Sequence, residues 1–201
     1  MPSINASWTI TRLPIFGVLA LVAALITGPP PALTAGWVPP EDATAHMGGP
    51  FTLTDQNGRS VTDVQFRGKW LLVYFGYIHC PDTCPTALST MAEALDQLSP
   101  AKRNRVQPIF VSVDPERDTP AVMKDYVGAF EGANILGLTG TPKQVSAAEQ
   151  AYQVHAQRFG RLDGDYAMSH SSKIYIMDPD GRFVAKTYPE RIAEQLARLL
   201  P

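Results

Sequence analysis

From about residue 51 onward, apolar positions follow two alternating rhythms. Short runs of adjacent or alternating apolar residues predict strands, and repeats of three and four predict helices. Residues 51–54 (FTLT) and 59–62 (RSVT) flank Asp55-Gln56-Asn57-Gly58, which predicts a hairpin around an Asn-Gly turn. The unbroken run at 70–76 (WLLVYFG) predicts a buried strand. From Pro85 to about Leu98, the residues Leu88, Met91, Ala92, Leu95 and Leu98 share one helical face. A second strand is predicted at 106–113 and a short one at 135–138. Thr119-Pro120 and Thr141-Pro142 each supply an N-cap followed by proline at the first helical position. The helices they open are predicted to reach about Phe130 and Gln157. A strand at 173–177 is turned by Asp178-Pro179-Asp180-Gly181 into 182–186, and a last helix runs from 189 to 200. Strands alternating with helices, ended by a hairpin and a helix, predict an α/β sheet flanked by helices with an N-terminal β-hairpin extension. Such sheets bind ligands beyond the carboxyl ends of their strands.

Ahead of this domain the pattern changes. Residues 1–27 hold one charged side chain, Arg12, followed by 14 apolar residues at 13–26. A positive flank with a short apolar core is the pattern of a secretory signal. The segment is short for a spanning helix, yet only a poor approximation to a small-residue cleavage site follows it at Ala32-Leu33-Thr34-Ala35. A cleaved signal peptide and a retained N-terminal membrane anchor both stand, and either exports the rest of the chain. Residues 28–47 read as a Pro-rich linker, with Pro29, Pro30, Pro31, Pro39 and Pro40, that cannot propagate a helix. Residues 48–201 suit one domain with one core. The formal charge is −2, or −3 without Arg12, which is no basis for binding nucleic acid or anionic lipid.

The two cysteines of the chain, Cys80 and Cys84, follow the first buried strand in Cys80-Pro81-Asp82-Thr83-Cys84-Pro85. An exported protein meets an environment in which disulfides persist. A bridge closing so short a loop would constrain the unfolded chain very little, so a structural staple is a weak reading. Pro85 places Cys84 near a helix N-terminus, with Cys80 in the preceding loop. Backbone N–H groups and the helix dipole there favour thiolate, which is both nucleophile and soft metal ligand. The pair is therefore a redox-active dithiol, a metal site, or both. Zinc would need two histidines besides the two thiolates, and an iron–sulfur cluster four sulfurs. Copper accepts two thiolates and one imidazole and fits the available residues best.

Four histidines are candidates for the imidazole. His170 follows Asp165-Tyr166-Ala167-Met168-Ser169 in a segment predicted to be irregular, and it reads as a ligand or as a hydrogen-bonded loop residue. His79 is adjacent to Cys80 and points away from that sulfur. His155 lies on the surface of the 143–157 helix, and His46, followed by Met47, in solvated linker. Met168 is core filler rather than an axial ligand. A peroxidase pattern is absent, since Tyr77 and Pro81 stand where Thr or Ser would precede a peroxidatic cysteine.

Three separated strings carry a resemblance. The segment Tyr74-Phe75-Gly76-Tyr77-Ile78-His79-Cys80-Pro81-Asp82-Thr83-Cys84-Pro85 resembles the signature of the Sco/SenC family. So does Val111-Ser112-Val113-Asp114-Pro115-Glu116-Arg117-Asp118-Thr119-Pro120, and so does Asp165-Tyr166 followed by His170. The resemblance covers roughly residues 48–200. It implies a thioredoxin-like fold and an exported or membrane-tethered copper protein, in the periplasm or on the outer face of the cytoplasmic membrane. It also implies assembly of the binuclear copper centre of cytochrome c oxidase subunit II, with Cys80, Cys84 and His170 as copper ligands. A thiol reductant or copper donor protein would be a further partner. The family commonly has an acidic residue just before the histidine, and Ser169 replaces it here, which puts affinity and redox tuning in doubt. Thr119 and Pro120 read as a helix start, and Asp114 is left open. The rival function is a thiol–disulfide reductase that uses the same dithiol without His170.

Overall fold

The structure is a computed structural model that describes residues 47–160 and 166–200. The apolar segment at 13–26, most of the linker, His46 and Asp165 lie outside the described residues. Among the described residues no helix is long and apolar enough to cross a membrane.

Strands β1 (Thr52–Asp55) and β2 (Ser60–Thr62) form the predicted hairpin. Gly58 adopts a φ of 79° in its turn, a left-handed conformation natural to glycine. The Asp55 carboxylate accepts the N–H groups of Asn57 and Arg59 across the turn. Strand β3 (Trp70–Gly76) is buried from Leu71 onward and lies in the interior of the sheet. Helices α1 (Thr83–Asp96) and α2 (Pro100–Arg103) lead to β4 (Val106–Ser112), parallel to β3. Helix α3 (Pro120–Gly128) leads to β5 (Leu136–Thr139), parallel to β4. Helix α4 (Pro142–Ala151) is followed by strands β6 (Ala156–Gly160) and β7 (Tyr166–His170), which pair only with each other. Strands β8 (Ile174–Met177) and β9 (Phe183–Thr187) return to the sheet, antiparallel beside β3. A 3-10 turn (Pro189–Arg191) opens α5 (Ile192–Leu199), which packs against α1.

The sheet order is β2-β1-β5-β4-β3-β8-β9. Two parallel crossovers and an antiparallel hairpin beside the first central strand make a thioredoxin-like fold, extended at the β5 edge by β1 and β2. The core is dense where β3 and β4 meet the helices: Leu72, Tyr74, Phe75, Phe110, Leu88, Met91, Leu95 and Met123 are all fully buried. Each such side chain contributes roughly 1.5–3 kcal/mol of burial, which holds β3 and its carboxyl end in place.

Three expectations are corrected. Helix α4 ends at Ala151, so His155 is not on a helix. Its end is set by Gln153, whose φ of 52° leaves the right-handed helical region. The segment before His170 is a strand, not irregular chain. Met47, expected in the linker, is buried in the core, and the N–H of Gly48 donates to the Ala151 carbonyl at 2.7 Å.

Candidate metal centre

The carboxyl end of β3 delivers Tyr77-Ile78-His79-Cys80 into a short loop, and α1 begins at Thr83 after Asp82. Helix α1 thus starts two residues earlier than Pro85 predicts, and Cys84 lies inside its first turn. The first-turn N–H groups have no partner within a helix, so Pro85 removes no bond there. The fold makes the two thiols unequal. The N–H of Cys84 donates to the Cys80 sulfur at 3.4 Å. Burial pushes the Cys80 thiol up, but N–H donors at Asp82, Cys84 and Thr83 outweigh it, so its pKa lies below the ordinary value. Cys80 is therefore the more readily ionised of the two thiols, at the helix start. Cys84 instead turns its sulfur into the core, where burial pushes its pKa up to about 12.

His170 comes from the far side. Its Nε2 lies 3.3 Å from the Cys84 sulfur, and its Nδ1 lies 3.0 Å from the Ser171 carbonyl. A carbonyl accepts only, so Nδ1 carries the proton and Nε2 offers its lone pair to the site. Burial lowers the imidazole pKa, opposed by backbone contacts at Ser171 and Phe75, and keeps the ring neutral. Tyr77 and Tyr74 meet the ring edge-on at 5.8 and 6.1 Å. Adjacent residues on a strand face opposite sides, and Ser169 is exposed. The Ser171 carbonyl, rather than any side chain at position 169, orients this imidazole.

The ligand atoms of Cys80, Cys84 and His170 all lie within 4.8 Å of one another. They are the single such group of three among the described residues. Both cysteines are free thiols. Two soft sulfurs and one neutral imidazole suit a soft cation. The half-exposed Cys80 opens onto a cleft lined by Tyr77, Pro81, Phe159, Met168 and Ser172, so a partner can reach that sulfur. His79 does not join the group. It is mostly exposed, and its Nδ1 lies 3.9 Å from Asp118. Met168 packs on the core as predicted.

Gly76 makes the close approach of β3 to Cys84 possible. A Cβ at this position would lie 2.8 Å from the Cys84 sulfur and 2.8 Å from the Phe110 ring. Gly76→Ala is expected to destabilise the fold by about 1–3 kcal/mol and to displace the sulfur. The urea midpoint and the Cys84 Cβ chemical shift measure the two effects. An unchanged midpoint and shift would mean that the packing yields freely.

Sequence reasoning missed the device that joins the two halves of the site. Asp118 is fully buried and accepts the Ser112 hydroxyl at 2.6 Å and the Ile78 N–H at 3.1 Å. Asp114, left open by the sequence, is buried and accepts the Tyr166 hydroxyl at 2.7 Å and the Arg117 Nε–H. Thr119 and Pro120 have the predicted structural role at the start of α3. The alternation of acidic side chains at 114 and 118 with the cation at 117 was the available signal, but their partners lie 40 and 52 residues away.

Residues 39–200 match the profile of the SCO1/SenC family. The chain belongs to that family. Among solved members, Bradyrhizobium japonicum ScoI, determined with copper bound, is 45% identical. That similarity covers 77% of this chain and 99% of the other, with a TM-score of 0.66. The mitochondrial SCO1 homolog 1 of Arabidopsis thaliana is 39% identical over 145 residues, 72% of this chain and 43% of that protein. A SCO2-like protein of Rickettsia felis is 34% identical over 188 residues, 92% of this chain and 91% of its own. The chain spans about half the length of the mitochondrial SCO relatives it matches first.

Proposed function

We propose that this SCO1/SenC protein is a copper metallochaperone, with Cys80, Cys84 and His170 as the copper ligands. The observation that carries this reading is the convergence of two sulfurs and an imidazole lone pair within 4.8 Å at the end of β3. Similarity to a copper-bound ScoI supports it. The ion leaves by ligand exchange: an acceptor thiolate enters through the open side at Cys80 before the buried Cys84 lets go. The acceptor is the binuclear copper centre of cytochrome c oxidase subunit II, and a thiol reductant or copper donor protein prepares the site. Residues 1–27 export the chain or tether it to the outer face of the membrane, and the linker at 28–47 gives the domain reach.

The test is copper(I) bound by the reduced protein, wild type and His170→Ala side by side. Structural zinc gains roughly 10–16 kcal/mol from four ligands, so one lost ligand is expected to weaken binding about a hundredfold. Equal binding in both would remove His170 from the site. The unequal thiols favour a second reading, a thiol–disulfide reductase in which Cys80 attacks and Cys84 resolves. His170→Ala separates the two, because disulfide exchange does not require the imidazole.

A further inference from the structure

His170 sits on a ribbon that has little holding power of its own. Strands β6 and β7 form a separate two-stranded sheet, with four of five β6 residues exposed. Such a ribbon is marginal alone. Yet it must present Nε2 within 3.3 Å of a sulfur on another element. Something has to fix it to the body.

The loop after β4 does so with several contacts on one residue, Tyr166, at the start of β7. The Arg117 guanidinium stacks on the Tyr166 ring at 3.6 Å, and its Nη1 donates to the Tyr166 carbonyl at 3.0 Å. The Tyr166 hydroxyl donates to Asp114. Arg158 on β6 lies over the same ring at 4.0 Å and pairs with Glu116 at 2.6 Å. The same loop grips the cysteine side. The Asp114 N–H donates to the Ser112 hydroxyl, that hydroxyl donates to Asp118, and Asp118 holds the Ile78 N–H two residues before Cys80. One connected set of bonds therefore runs from the cysteine loop to the histidine ribbon without passing through a ligand side chain.

We infer that Arg117 is a positioning residue for His170: clamped on Tyr166 and Asp114, it sets the separation between the imidazole and the cysteine sulfurs. The inference rests on the proposed ligand set for its copper consequence, but not for its structural one. A planar guanidinium that stacks and donates in two directions has no equivalent in lysine or glutamine.

The experiment uses the full chain with Arg117→Gln, His170→Ala and the double variant. Hydrogen exchange on the metal-free protein is expected to speed up at residues 166–170, with β3 and β4 protection unchanged. Copper(I) affinity is expected to fall about 10–100-fold, the usual effect of losing a group that orients a ligand. In the His170→Ala background Arg117→Gln should change copper affinity no further, because it acts through the imidazole. Unchanged exchange at 166–170, or a copper loss that adds in the double variant, overturns the inference. Faster exchange together with wild-type copper binding by His170→Ala would leave the clamp standing and overturn the ligand set instead. Should Arg117→Gln fail to fold, Tyr166→Phe removes only the hydroxyl bond to Asp114. It should shift exchange and affinity the same way by less, and no shift in either overturns the inference.

Discussion

Cys84→Ala is expected to lower copper(I) affinity by a hundredfold or more and to end formation of the internal Cys80–Cys84 disulfide. The affinity loss follows from the share of one ligand in about 10–16 kcal/mol of four-ligand binding, with thiolate the softest donor present. Cys80→Ala should cost a similar amount of affinity, but the two variants should differ in stability. Cys84 is fully buried beside Gly76 and Phe110, whereas Cys80 is half-exposed. Removing the buried sulfur leaves a small cavity and should cost about 1 kcal/mol of folding stability, while Cys80→Ala should cost little. Thiol chemistry on the reduced wild type should show the same inequality. Iodoacetamide near neutral pH should modify Cys80 first, because its thiol is shifted down and reachable. Cys84 should lag, because its thiol is buried and pushed up to about 12. One equivalent of copper held by Cys84→Ala as tightly as by wild type would strike Cys84 from the ligand set.

What could be read from the sequence is what local rules govern. Residues 70–76 are apolar on both faces, and the observed β3 has those bounds. Thr119-Pro120 and Thr141-Pro142 open helices because a side-chain cap and a fixed φ act on neighbouring residues. The cysteine loop falls at a strand end, where the architecture puts ligands. The β6–β7 ribbon escaped because its strands bury no continuous face, so no alternation marks Ala156–Gly160 as a strand. The inequality of the thiols escaped for a different reason. Chain position puts both cysteines near a helix start. Only the fold turns the Cys84 sulfur inward, against Gly76, and leaves the N–H donors to Cys80. The Arg117 clamp depends on pairings across 49 residues and has no local signature.

The pH dependence of copper(I) binding should be steep, and its slope counts protons. With the proposed ligand set, bound copper needs two thiolates and a neutral imidazole, so every proton on these groups must leave first. Cys84 keeps its proton up to about pH 12, because burial raises its pKa. Cys80 loses its proton earlier: burial raises its pKa too, but the N–H donors at Asp82, Cys84 and Thr83 bring it below the ordinary thiol value. His170 has a lowered pKa through burial and is already neutral near pH 7, so it adds nothing to the slope there. Two protons are then displaced below the Cys80 pKa and one above it. Affinity is expected to rise about a hundredfold per pH unit on the acid side of the Cys80 pKa and about tenfold per unit beyond it. The bend between the two slopes locates the Cys80 pKa in the metal-free protein. Competition titrations against a copper(I) chelator of known protonation, from pH 6 to 9, measure the slope directly. A flat line would require both thiols to be ionised throughout and would overturn the raised pKa of the buried Cys84. A slope of one that persists well below the ordinary thiol range would place Cys80 as a preformed thiolate at acidic pH, with Cys84 as the single proton released when copper enters.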